Sequence, residues 1–410
     1  MRAGLLGRKL PYSFSPRIHS FFGNYSYALF EVEPENLDAF MRSGAFDALN
    51  VTIPHKLAVI PYCAELSPAA AGIGSVNTIV RRPDGSLFGD NTDAAGFRAM
   101  VRALQLNPAG KKALVLGSGG ASRTVCYVLR EMGANVIVVS RSGENNYENL
   151  QLHADAAVLV NTTPVGTYPD CGVSPVELSH LPHLEAVLDL IYNPARTRLL
   201  LDAEARGIPC IGGLTMLVEQ ARAASERFTG ASIPMEKGAE VLKALRAETL
   251  NLVLIGMPGC GKSSNGRQLA RMLGRRFADA DAAIEEKIGM SIPEYFQSHS
   301  EAEFRAVETA VLAELGKQSG LVIATGGGCV TRPENRDLLR QNGALIFLQR
   351  ALSLLPTRGR PLSQANSLEK MYQTRLPLYR AFADAEVENC GPIAETAKKI
   401  LEAFHEISDR

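Results

Sequence analysis

Short apolar runs that end in glycine-rich or polar turns recur along the chain, and helical patterns follow most of them. Continuous apolar runs bounded by turn signals are typical of strands that are buried on both faces of a parallel sheet. Strands of this kind in alternation with helices predict an α/β fold with parallel sheets. The clearest runs begin at Lys112, Asn135, Ala156, Val187, Asn251 and Leu321.

The run at 251–255 leads into a segment that matches the phosphate-loop pattern G-x-x-x-x-G-K-S/T, from Gly256 to Ser263, and a helical pattern follows over 268–273. Glycines let backbone N–H groups turn toward phosphate oxygens, and the helix N-terminus adds a positive dipole. Lys262 would reach the β- and γ-phosphates, and the Ser263 hydroxyl would bind Mg²⁺. The alternative is a glycine-rich turn with an incidental lysine. Because strand, loop and helix occur in the required order, we expect ATP or GTP to bind here.

Length and composition indicate a soluble protein of more than one domain. A chain of 410 residues is too long for one typical core and predicts about two to three domains. With 43 basic and 43 acidic residues, nothing indicates a nucleic-acid or anionic-membrane surface. The seven scattered cysteines form no C-x-x-C, which fits a reducing cytoplasm without zinc or disulfides. No apolar run approaches about 18 residues and the first motif starts by Ser13, so we expect neither a membrane span nor a signal peptide.

Two segments near the N-terminus contain polar residues that could bind a substrate or could have only a structural role. Ser13 and Ser15 precede Pro16, which can begin a helix, and hydroxyls beside free N–H groups suit a carboxylate. The alternative is ordinary helix capping. Lys56 follows a short strand and is predicted to start a helix over 56–60, the end of a helix that disfavours a cation. It could deliver a proton to a carbonyl oxygen, and the alternative is a solvated surface lysine.

Two further segments place polar side chains at the ends of predicted strands. Asn77 and Thr78 stand at the start of a strand, and Asp93 lies in the first turn of a helix that runs to about Leu104. Alone, an aspartate at that position indicates a helix cap. Together, however, the segments of the first hundred residues resemble the shikimate dehydrogenase family. They contain its motifs S-x-S-P, N-V-T-x-P-x-K, x-N-T and G-x-N-T-D-x-x-G in order, and the match continues through residue 240.

The resemblance implies a role for each of these side chains. Ser13 and Ser15 would hold the substrate carboxylate, and Lys56 with Asp93 would form the acid–base pair. Lys56 would give a proton to the C3 carbonyl oxygen as hydride arrives. A lysine near an aspartate is held charged until the reaction uses its proton, which agrees with this role. The remaining substrate contacts implied by the family are Thr52, Asn77, Asp93, Tyr192 and Gln220.

Residues 112–140 form a strand, a glycine-rich turn, a helix and a second strand, the unit that binds a dinucleotide. Ser122 takes the place of the last glycine of G-x-G-x-x-G, but G-S-G-G-A resembles the G-A-G-G-A of the dehydrogenase family. An acidic residue after the second strand would indicate NAD, whereas Arg141 there accommodates a 2′-phosphate, so NADP is favoured. The expected NADP contacts are Gly117, Ser118, Gly119, Gly120, Ala121, Ser140, Arg141, Ser142, Asn161, Thr162, Thr163, Ile191, Gly213 and Met216.

The family places Gly213 and Met216 beside the nicotinamide, although a plain helix-core role for Met216 is the alternative. One part of this nucleotide unit is short. Only the fifteen residues 141–155 separate the second strand from the next apolar run. A single crossover takes about a dozen residues or more, so this segment cannot hold a helix, another strand and a return. Relative to the usual order 3-2-1-4-5-6, we expect the edge strand beside the adenine and 2′-phosphate pocket to be absent.

Beyond the phosphate loop, Asp279 is placed to act on Mg²⁺ indirectly and Asp281 to take a proton from an acceptor hydroxyl. Arg305 and Glu308 are spaced i, i+3 on a helix, for which a surface ion pair is the alternative. The glycines 326–328 follow a buried strand. Consecutive glycines cost stability, which indicates that the backbone closely approaches a ligand.

These segments resemble shikimate kinase over 250–395, through G-x-x-G-x-G-K-S, D-x-D, F-R-x-x-E, G-G-G, R-P-L and R-x-P-L-Y. The two arginines Arg305 and Arg375 would pair with the shikimate carboxylate. Arg360, in a basic stretch suited to a lid, would close on the ATP phosphates and act in catalysis with Lys262 and Asp281. The implied ATP contacts are Gly259, Cys260, Gly261, Lys262, Ser263, Ser264 and Arg360. The implied shikimate contacts are Asp281, Arg305, Gly326, Gly327, Gly328 and Arg375.

We therefore expect a two-lobed α/β dehydrogenase with a shortened Rossmann-like lobe, followed by a P-loop kinase domain. The boundaries are 1–98, completed by about 215–245, for the substrate lobe; 99–214 for the NADP lobe; 246–250 for a linker; and 251–410 for the kinase. Such a chain would reduce 3-dehydroshikimate with NADPH and phosphorylate shikimate with ATP and Mg²⁺. One alternative is a degenerate dehydrogenase that only binds shikimate or regulates the kinase. Another is a shift of substrate, such as quinate.

Overall fold

Three sheets organise the chain in a computed structural model, which describes residues 1–10, 13–355 and 365–409. Two compact units contain them: 1–192 with 197–242, and 193–196 with 243–410. The predicted lid residue Arg360 lies outside the described residues. Within the described part of the chain, no helix is both long and apolar enough to cross a membrane.

The first sheet of the first unit has the strand order β2-β1-β3-β5-β6-β4, and β1 pairs in parallel with both of its neighbours. β5 runs antiparallel to β3 and β6, so the end of β3 meets the start of β5. The strands are β1 (Arg2–Gly7), β2 (Ser26–Glu31), β3 (Ala48–Val51), β4 (Glu65–Leu66), β5 (Thr78–Arg81) and β6 (Leu87–Asp90). The helices are α1 (Ser15–Phe22), α2 (Leu37–Arg42), α3 (Pro68–Ile73) and α4 (Asp93–Ala103).

The second sheet of this unit is parallel, with the order β11-β10-β9-β7-β8. Its strands are β7 (Lys112–Leu116), β8 (Asn135–Val139), β9 (Val158–Asn161), β10 (Ala186–Asp189) and β11 (Cys210–Ile211). The helices that follow are α5 (Gly120–Glu131), α6 (Arg198–Ala205), α7 (Leu214–Thr229) and α8 (Met235–Thr249). Apolar residues of β7, β9 and β10 form two cores on opposite faces of this sheet.

The expected loss of the edge strand is confirmed, since no strand of the described residues pairs with the outer side of β8. After β8 the chain makes turns and one 3-10 helix, Leu150–His153, before β9 begins. Leu150 and Tyr147 from this connection pack on the core that Val139 joins. Thus fifteen residues suffice to return across the sheet, but not to add a strand.

The second unit is also an α/β fold, with the parallel order β13-β14-β12-β15-β16. Its strands are β12 (Asn251–Ile255), β13 (Phe277–Asp279), β14 (Val322–Ala324), β15 (Gly343–Gln349) and β16 (Ala385–Glu388). Its helices are α9 (Lys262–Leu273), α10 (Ala280–Ile288), α11 (Ile292–Ser298), α12 (Glu301–Lys317), α13 (Glu334–Arg340), α14 (Ala365–Phe382) and α15 (Ile393–Ser408). The central strand β12 is fully buried and leads directly into the phosphate loop.

The helix predicted over 56–60 is wrong. The chain there forms consecutive turns and then the 3-10 helix Ile60–Tyr62. Pro61 has no backbone N–H to continue an α-helical ladder, and so short a segment does not support a helical nucleus. The argument that Lys56 faces an unfavourable helix dipole therefore has no basis. In the segment predicted as a linker, 246–250, helix α8 continues to Thr249 and leaves only Leu250 before β12.

Candidate active sites

A lysine–aspartate pair lies at the edge of the first sheet, where β3 ends and β5 begins. Lys56 Nζ donates to Asp93 Oδ2 at 2.6 Å, and Asn77 Nδ2 donates to Asp93 Oδ1 at 2.9 Å. The Lys56 and Asp93 side chains are 25% and 14% exposed, so the pair is sheltered but open to a ligand. The Asn77 amide is itself fixed, because its Oδ1 accepts from the Thr92 N–H at 2.7 Å. These contacts favour the acid–base interpretation over both the surface-lysine and the helix-cap alternatives.

The two serines lie at the open start of α1. The N-cap of this helix is Phe14, and no side chain caps it, although Ser13 Oγ accepts from the Ser15 N–H at 3.2 Å. Ser15 is buried. Tyr192 reaches the same segment, since its ring meets that of Phe14 edge to face with centroids 5.9 Å apart. The structure thus brings together three of the predicted substrate contacts.

The other predicted substrate contacts come from β3 and α7. Thr52 follows β3 directly and bonds through its N–H to the Leu6 carbonyl oxygen. Gln220 lies where α7 crosses α4 closely, because a Cβ added at Gly96 would be 3.1 Å from Gln220 Cβ and 2.5 Å from the Met216 carbonyl oxygen. In this structure Gln220 Nε2 donates to its own helix, to the Leu217 carbonyl oxygen.

The glycine-rich turn between β7 and α5 leaves room for a ligand. A Cβ added at Gly119 or Gly120 would meet nothing within 4 Å, and α5 has neither a capping side chain nor an acidic residue in its first turn. Gly117 has a φ of 101° and packs against Thr162, which would obstruct any side chain there. The free helix N-terminus suits a pyrophosphate, so the residues fit the dinucleotide predicted from the sequence.

The polar residues after β9 are held by a buried carboxylate that the sequence did not identify. Asp189 Oδ1 accepts from Asn161 Nδ2 at 3.0 Å and from the Ile191 N–H at 3.1 Å, and Asp189 Oδ2 accepts from Thr197 Oγ1 at 2.6 Å. Asn161 Oδ1 in turn accepts from Thr163. Burial raises the pKa of Asp189 to about 6, against the effect of these hydrogen bonds.

Of the other predicted NADP contacts, Gly213 also lies at this edge, where its N–H donates to the Ile191 carbonyl oxygen at 2.9 Å. Met216 packs partly buried against the core next to α5, which is consistent with its helix-core alternative. Arg141 is exposed after β8, and the neighbouring Ser140 bonds through its N–H to the Asn145 carbonyl oxygen. Of the remaining predicted contacts, Ser118 and Ser142 lie in the turns that follow β7 and β8, and Ala121 lies in the first turn of α5.

The phosphate loop connects β12 to α9 through three glycines with positive φ, Gly256 (147°), Gly259 (82°) and Gly261 (98°). Lys262 Nζ donates to the carbonyl oxygens of Gly256 at 2.8 Å and Met257 at 3.0 Å, and is buried. The Lys262 ammonium thus donates to carbonyl oxygens here, and a phosphate oxygen would be a stronger acceptor for it. The loop also contains Cys260 and leads to Ser264 in α9.

Ser263 and Asp279 form a second polar pair beneath the loop. Ser263 Oγ donates to Asp279 Oδ2 at 2.7 Å, which places a hydroxyl and a carboxylate together at the start of α9. Oxygen ligands of this kind suit Mg²⁺. Asp281, two residues further along the chain, is exposed; partial desolvation raises its pKa, while the Lys262 ammonium lowers it.

The acceptor side of this unit is lined by buried charges. Arg305 Nη1 donates to Glu308 Oε2 at 2.7 Å, and Glu308 is 1% exposed, so the surface ion-pair alternative is wrong. The reason is the packing of α12, which turns this helix face inward. A Cβ at Gly326 would lie 2.7 Å from Glu308 Oε1 and 2.8 Å from Asp281 Oδ1. Among the described residues, Glu308 Oε1 and Arg305 Nε have no hydrogen-bond partner.

The backbone of the three glycines passes directly against this cluster. A Cβ at Gly328 would overlap both terminal nitrogens of Arg305, and one at Gly327 would lie 2.6 Å from the Pro258 ring. The Gly327 carbonyl oxygen accepts from Arg375 Nη1 at 3.1 Å and from the Tyr379 hydroxyl at 2.5 Å. The close approach predicted from consecutive glycines is therefore present.

Sequence reasoning missed Tyr379 and Asp189 as parts of these sites. Tyr379 is fully buried and stands inside the R-x-P-L-Y motif, so the motif itself carried the signal. No local sequence signal identified Asp189, because its hydrogen bond to Asn161 joins residues that are far apart in the chain.

Comparisons with known proteins agree with the family resemblances of both the N-terminal and the C-terminal part of the chain. A family model for the shikimate dehydrogenase substrate binding domain matches residues 5–79, and one for shikimate kinase matches residues 258–405. The NADP(+) shikimate dehydrogenase of Methanopyrus kandleri is 40% identical over 278 residues, which takes in 59% of this chain and 95% of that protein. The alignment has 278 positions, which is more than the residues of this chain that it includes, 59% of 410. Some aligned positions are therefore occupied only in the relative, which contains residues that this chain lacks.

Solved structures give the same result for the first unit. A chorismate mutase/shikimate 5-dehydrogenase fusion protein from Clostridium acetobutylicum has a TM-score of 0.57 and 35% identity, covering 60% of this chain and 96% of that one. Shikimate 5-dehydrogenase from Thermus thermophilus, solved with NADP(H) and shikimate, has a TM-score of 0.54 and 34% identity, covering 59% and 98%. The chain belongs to the shikimate dehydrogenase family and joins that oxidoreductase to a shikimate kinase domain, which makes it a bifunctional enzyme.

Proposed function

We propose that the chain catalyses two consecutive reactions of the shikimate pathway. Its first part reduces 3-dehydroshikimate with NADPH, and its kinase domain then phosphorylates shikimate with ATP to give shikimate 3-phosphate. The observation that supports this most strongly is the pair of Lys56 and Asp93, 2.6 Å apart and open to a ligand. The proposed boundaries are those expected from the sequence: 1–98 with about 215–245, 99–214, 246–250 and 251–410.

In the reduction, Lys56 supplies the proton and Asp93 holds the lysine ammonium in position. When bound, the dinucleotide supplies the hydride for the C3 carbonyl carbon. The negative charge that develops on the carbonyl oxygen draws a proton from the Lys56 ammonium. Asp93 holds the lysine in position and can still accept from a substrate hydroxyl, while the Asn77 amide nitrogen, which donates one hydrogen to Asp93, can donate the other to the substrate. Ser13 and Ser15 would fix the carboxylate at the other end of the ring.

The residues of the nucleotide lobe would hold NADP at three points. The free N-terminus of α5 would bind the pyrophosphate, and Arg141 the 2′-phosphate. Residues 161–163, Ile191 and Gly213 would border the nicotinamide end. The open space at Gly119 and Gly120 supports this assignment, because a cradle for phosphate needs glycines with nothing facing them.

In the kinase, backbone N–H groups of 259–264 and Lys262 would hold the ATP phosphates, and Ser263 would bind Mg²⁺, with Asp279 acting on the ion indirectly through its bond to Ser263. When bound, Mg²⁺ neutralises phosphate charge. Asp281 accepts the proton of the attacking 3-hydroxyl. Although Asp281 is exposed, partial desolvation by the surrounding protein raises the pKa of this carboxyl, which favours that transfer. Arg305 and Arg375 would clamp the carboxylate, with Arg375 exchanging the Gly327 carbonyl oxygen for the substrate.

A second candidate function deserves a test because the nucleotide sheet lacks its edge strand. In that case the first part binds shikimate and regulates the kinase without turnover. NADPH absorbance would be followed with purified protein and 3-dehydroshikimate, without ATP. Oxidation at about 1 s⁻¹ or more, ordinary for an enzyme, supports the reduction. No oxidation, with shikimate still phosphorylated when ATP is added, supports the binding module.

Two lysine variants separate the half-reactions. Lys56→Ala should abolish NADPH oxidation and leave ADP release near wild type, and Lys262→Ala should do the converse. Lys237→Ala, at an exposed lysine paired with Glu240, is the matched control and should affect neither. Equal loss of both activities in Lys56→Ala would contradict the assignment of this lysine to the reduction alone.

A further inference from the structure

The Gly327 carbonyl oxygen in the kinase site accepts two hydrogen bonds from one helix. Arg375 Nη1 donates to it at 3.1 Å and the Tyr379 hydroxyl at 2.5 Å. Both donors belong to α14, and their spacing of i, i+4 places them on the same face of that helix. Arg375 is the predicted partner of the shikimate carboxylate, whereas Tyr379 has no predicted role. Two donors of different kinds therefore share one backbone acceptor.

Tyr379 is the donor that cannot leave. It is fully buried, and its ring stacks on that of Phe347 in β15, with ring centroids 5.0 Å apart and an angle of 12° between the planes. Burial raises the pKa of Tyr379 well above its ordinary value, so the phenol keeps its hydrogen. A tyrosine hydroxyl has one hydrogen, and here Gly327 receives it. This hydrogen bond therefore does not depend on a ligand.

Arg375 is the donor that can leave. It is half-buried, and among the described residues its guanidinium pairs with no carboxylate. The guanidinium of Arg305, in contrast, is held by Glu308 and Glu301. A carboxylate is a stronger acceptor for a guanidinium than a backbone carbonyl group is, because both partners are then charged. A bound carboxylate would therefore draw Arg375 away from Gly327.

The backbone that Tyr379 holds lies between the phosphate loop and the carboxylate clamp. A Cβ added at Gly327 would be 2.6 Å from the Pro258 ring, and one added at Gly328 would overlap the terminal nitrogens of Arg305. A shift of this backbone would therefore displace either the loop predicted to hold ATP or the arginine predicted to hold the substrate. If both donors left Gly327, its carbonyl group would lose the two hydrogen bonds that fix it.

We propose that Tyr379 is a positioning residue of the kinase: it keeps the Gly327 carbonyl group bonded when Arg375 turns from it to the substrate carboxylate. The proposal rests on the proposed phosphorylation of shikimate. In the free protein both side chains donate to Gly327. On binding, Arg375 exchanges the carbonyl oxygen for the carboxylate, and Tyr379 alone holds the glycine backbone against Pro258 and Arg305. The substrate thereby gains a charged partner while the turn stays in place.

The test compares Tyr379→Phe with wild type in ADP release, with shikimate and with its methyl ester as acceptors. We expect KM for shikimate to rise about 10-fold, because Arg375 would leave the carbonyl group without a partner, while kcat changes less than about threefold. The ester has no charged carboxylate to draw Arg375 away, so its kcat/KM should fall less than about threefold. An equal loss for acid and ester would indicate a general packing defect and would overturn the proposal.

Tyr372→Phe is the matched control. Tyr372 lies on the same helix, and its hydroxyl accepts from Gln349 Nε2 at 3.3 Å. Its loss should leave the ratio of acid to ester unchanged. In the double variant Arg375→Ala with Tyr379→Phe, KM for shikimate should be little higher than in Arg375→Ala alone, because no arginine is left to exchange partners. Full additivity of the two losses would contradict the proposed exchange.

Hydrogen exchange in peptides that cover residues 322–331 separates this proposal from the proposed function. Shikimate alone should slow exchange there, and Tyr379→Phe should raise the shikimate concentration at half-protection about 10-fold. Wild-type protein that shows this protection without releasing ADP would end the proposed phosphorylation and still decide the role of Tyr379. Absence of protection in wild type, or an equal midpoint in Tyr379→Phe, would overturn the proposal.

Arg375→Ala tests the fixed hydrogen bond without changing Tyr379. In the absence of ligand, exchange at 322–331 should match that of wild type, because Tyr379 still holds Gly327. Faster exchange would show that Arg375 fixes this turn instead of Tyr379, and it would overturn the proposal.

Discussion

The replacement Gly328→Ala tests whether the kinase site is as tightly closed around Arg305 as the structure indicates. The new methyl group would overlap both terminal guanidinium nitrogens. Arg305 cannot move aside freely, since Glu308 holds one of these nitrogens at 2.7 Å and Glu301 the other at 3.1 Å. A normal contact requires a shift of about 1 Å or more, which breaks at least one charged hydrogen bond.

The expected magnitude follows from that lost bond. Hydrogen bonds to charged groups contribute about 1.5–3 kcal/mol, and each 1.4 kcal/mol is tenfold in rate or affinity. We therefore expect kcat/KM for shikimate to fall about 10- to 100-fold. ADP release at saturating ATP, with shikimate varied, measures this change. NADPH oxidation by the same preparation should remain at the wild-type rate.

Gly391→Ala is the matched control, because the added Cβ would meet only the Glu395 carboxylate, at 3.2 Å. It should leave both activities unchanged. A Gly328→Ala protein with wild-type kcat/KM for shikimate would refute the reasoning, because the guanidinium would then be free to relocate. A fall in both kinase and dehydrogenase activity would show misfolding instead of a local displacement.

Three other predictions concern the nucleotide and metal sites. Because the folded pKa of Asp189, about 6, exceeds the ordinary aspartate value of 3.8, its stabilising contribution is present below about pH 4 and lost as the pH rises through 6. Hydrogen exchange of 186–200 should show a loss of up to about 3 kcal/mol over that range, and Asp189→Asn should show none. Arg141→Ala should raise KM for NADPH roughly 10-fold and leave KM for NADH nearly unchanged, in steady-state assays with each cofactor. Ser263→Ala should raise the Mg²⁺ concentration for half-maximal ADP release about 10-fold.

The fold, and which residues lie at the ligand-binding edge of each sheet, could largely be predicted. Residues that directly follow parallel strands meet at the same edge of the sheet, and the sequence shows where those strands end. Lys262 and Asp281 each follow a strand of the kinase sheet, so the sequence alone brings them to one edge. The absence of the edge strand was also predictable, because the fifteen residues 141–155 are too few to contain a helix, another strand and a return crossover. These inferences need only chain connectivity and the apolar pattern.

What could not be predicted depends on which way a side chain turns. Glu308 could equally have faced solvent, and only the packing of α12 shows that it is buried. Likewise, Lys56 lies between Pro54 and Pro61, and the apolar pattern of this segment alone did not distinguish turns from a helix. Asp189 and Asn161 meet only because β9 and β10 pair in register, which no local pattern specifies.

The position of the missing strand bears on the choice between a dehydrogenase and a binding module. Gly213 and Met216, predicted beside the nicotinamide, lie after β11, and the predicted NADP contacts 161–163 and Ile191 lie at or after the ends of β9 and β10; all three strands are present. The loss falls beyond β8, next to Arg141 and the predicted 2′-phosphate. Geometry at the reacting carbon affects kcat, whereas contacts to a remote part of the cofactor first affect its binding. The shortened sheet therefore favours an enzyme with a raised KM for NADPH over one that has lost turnover.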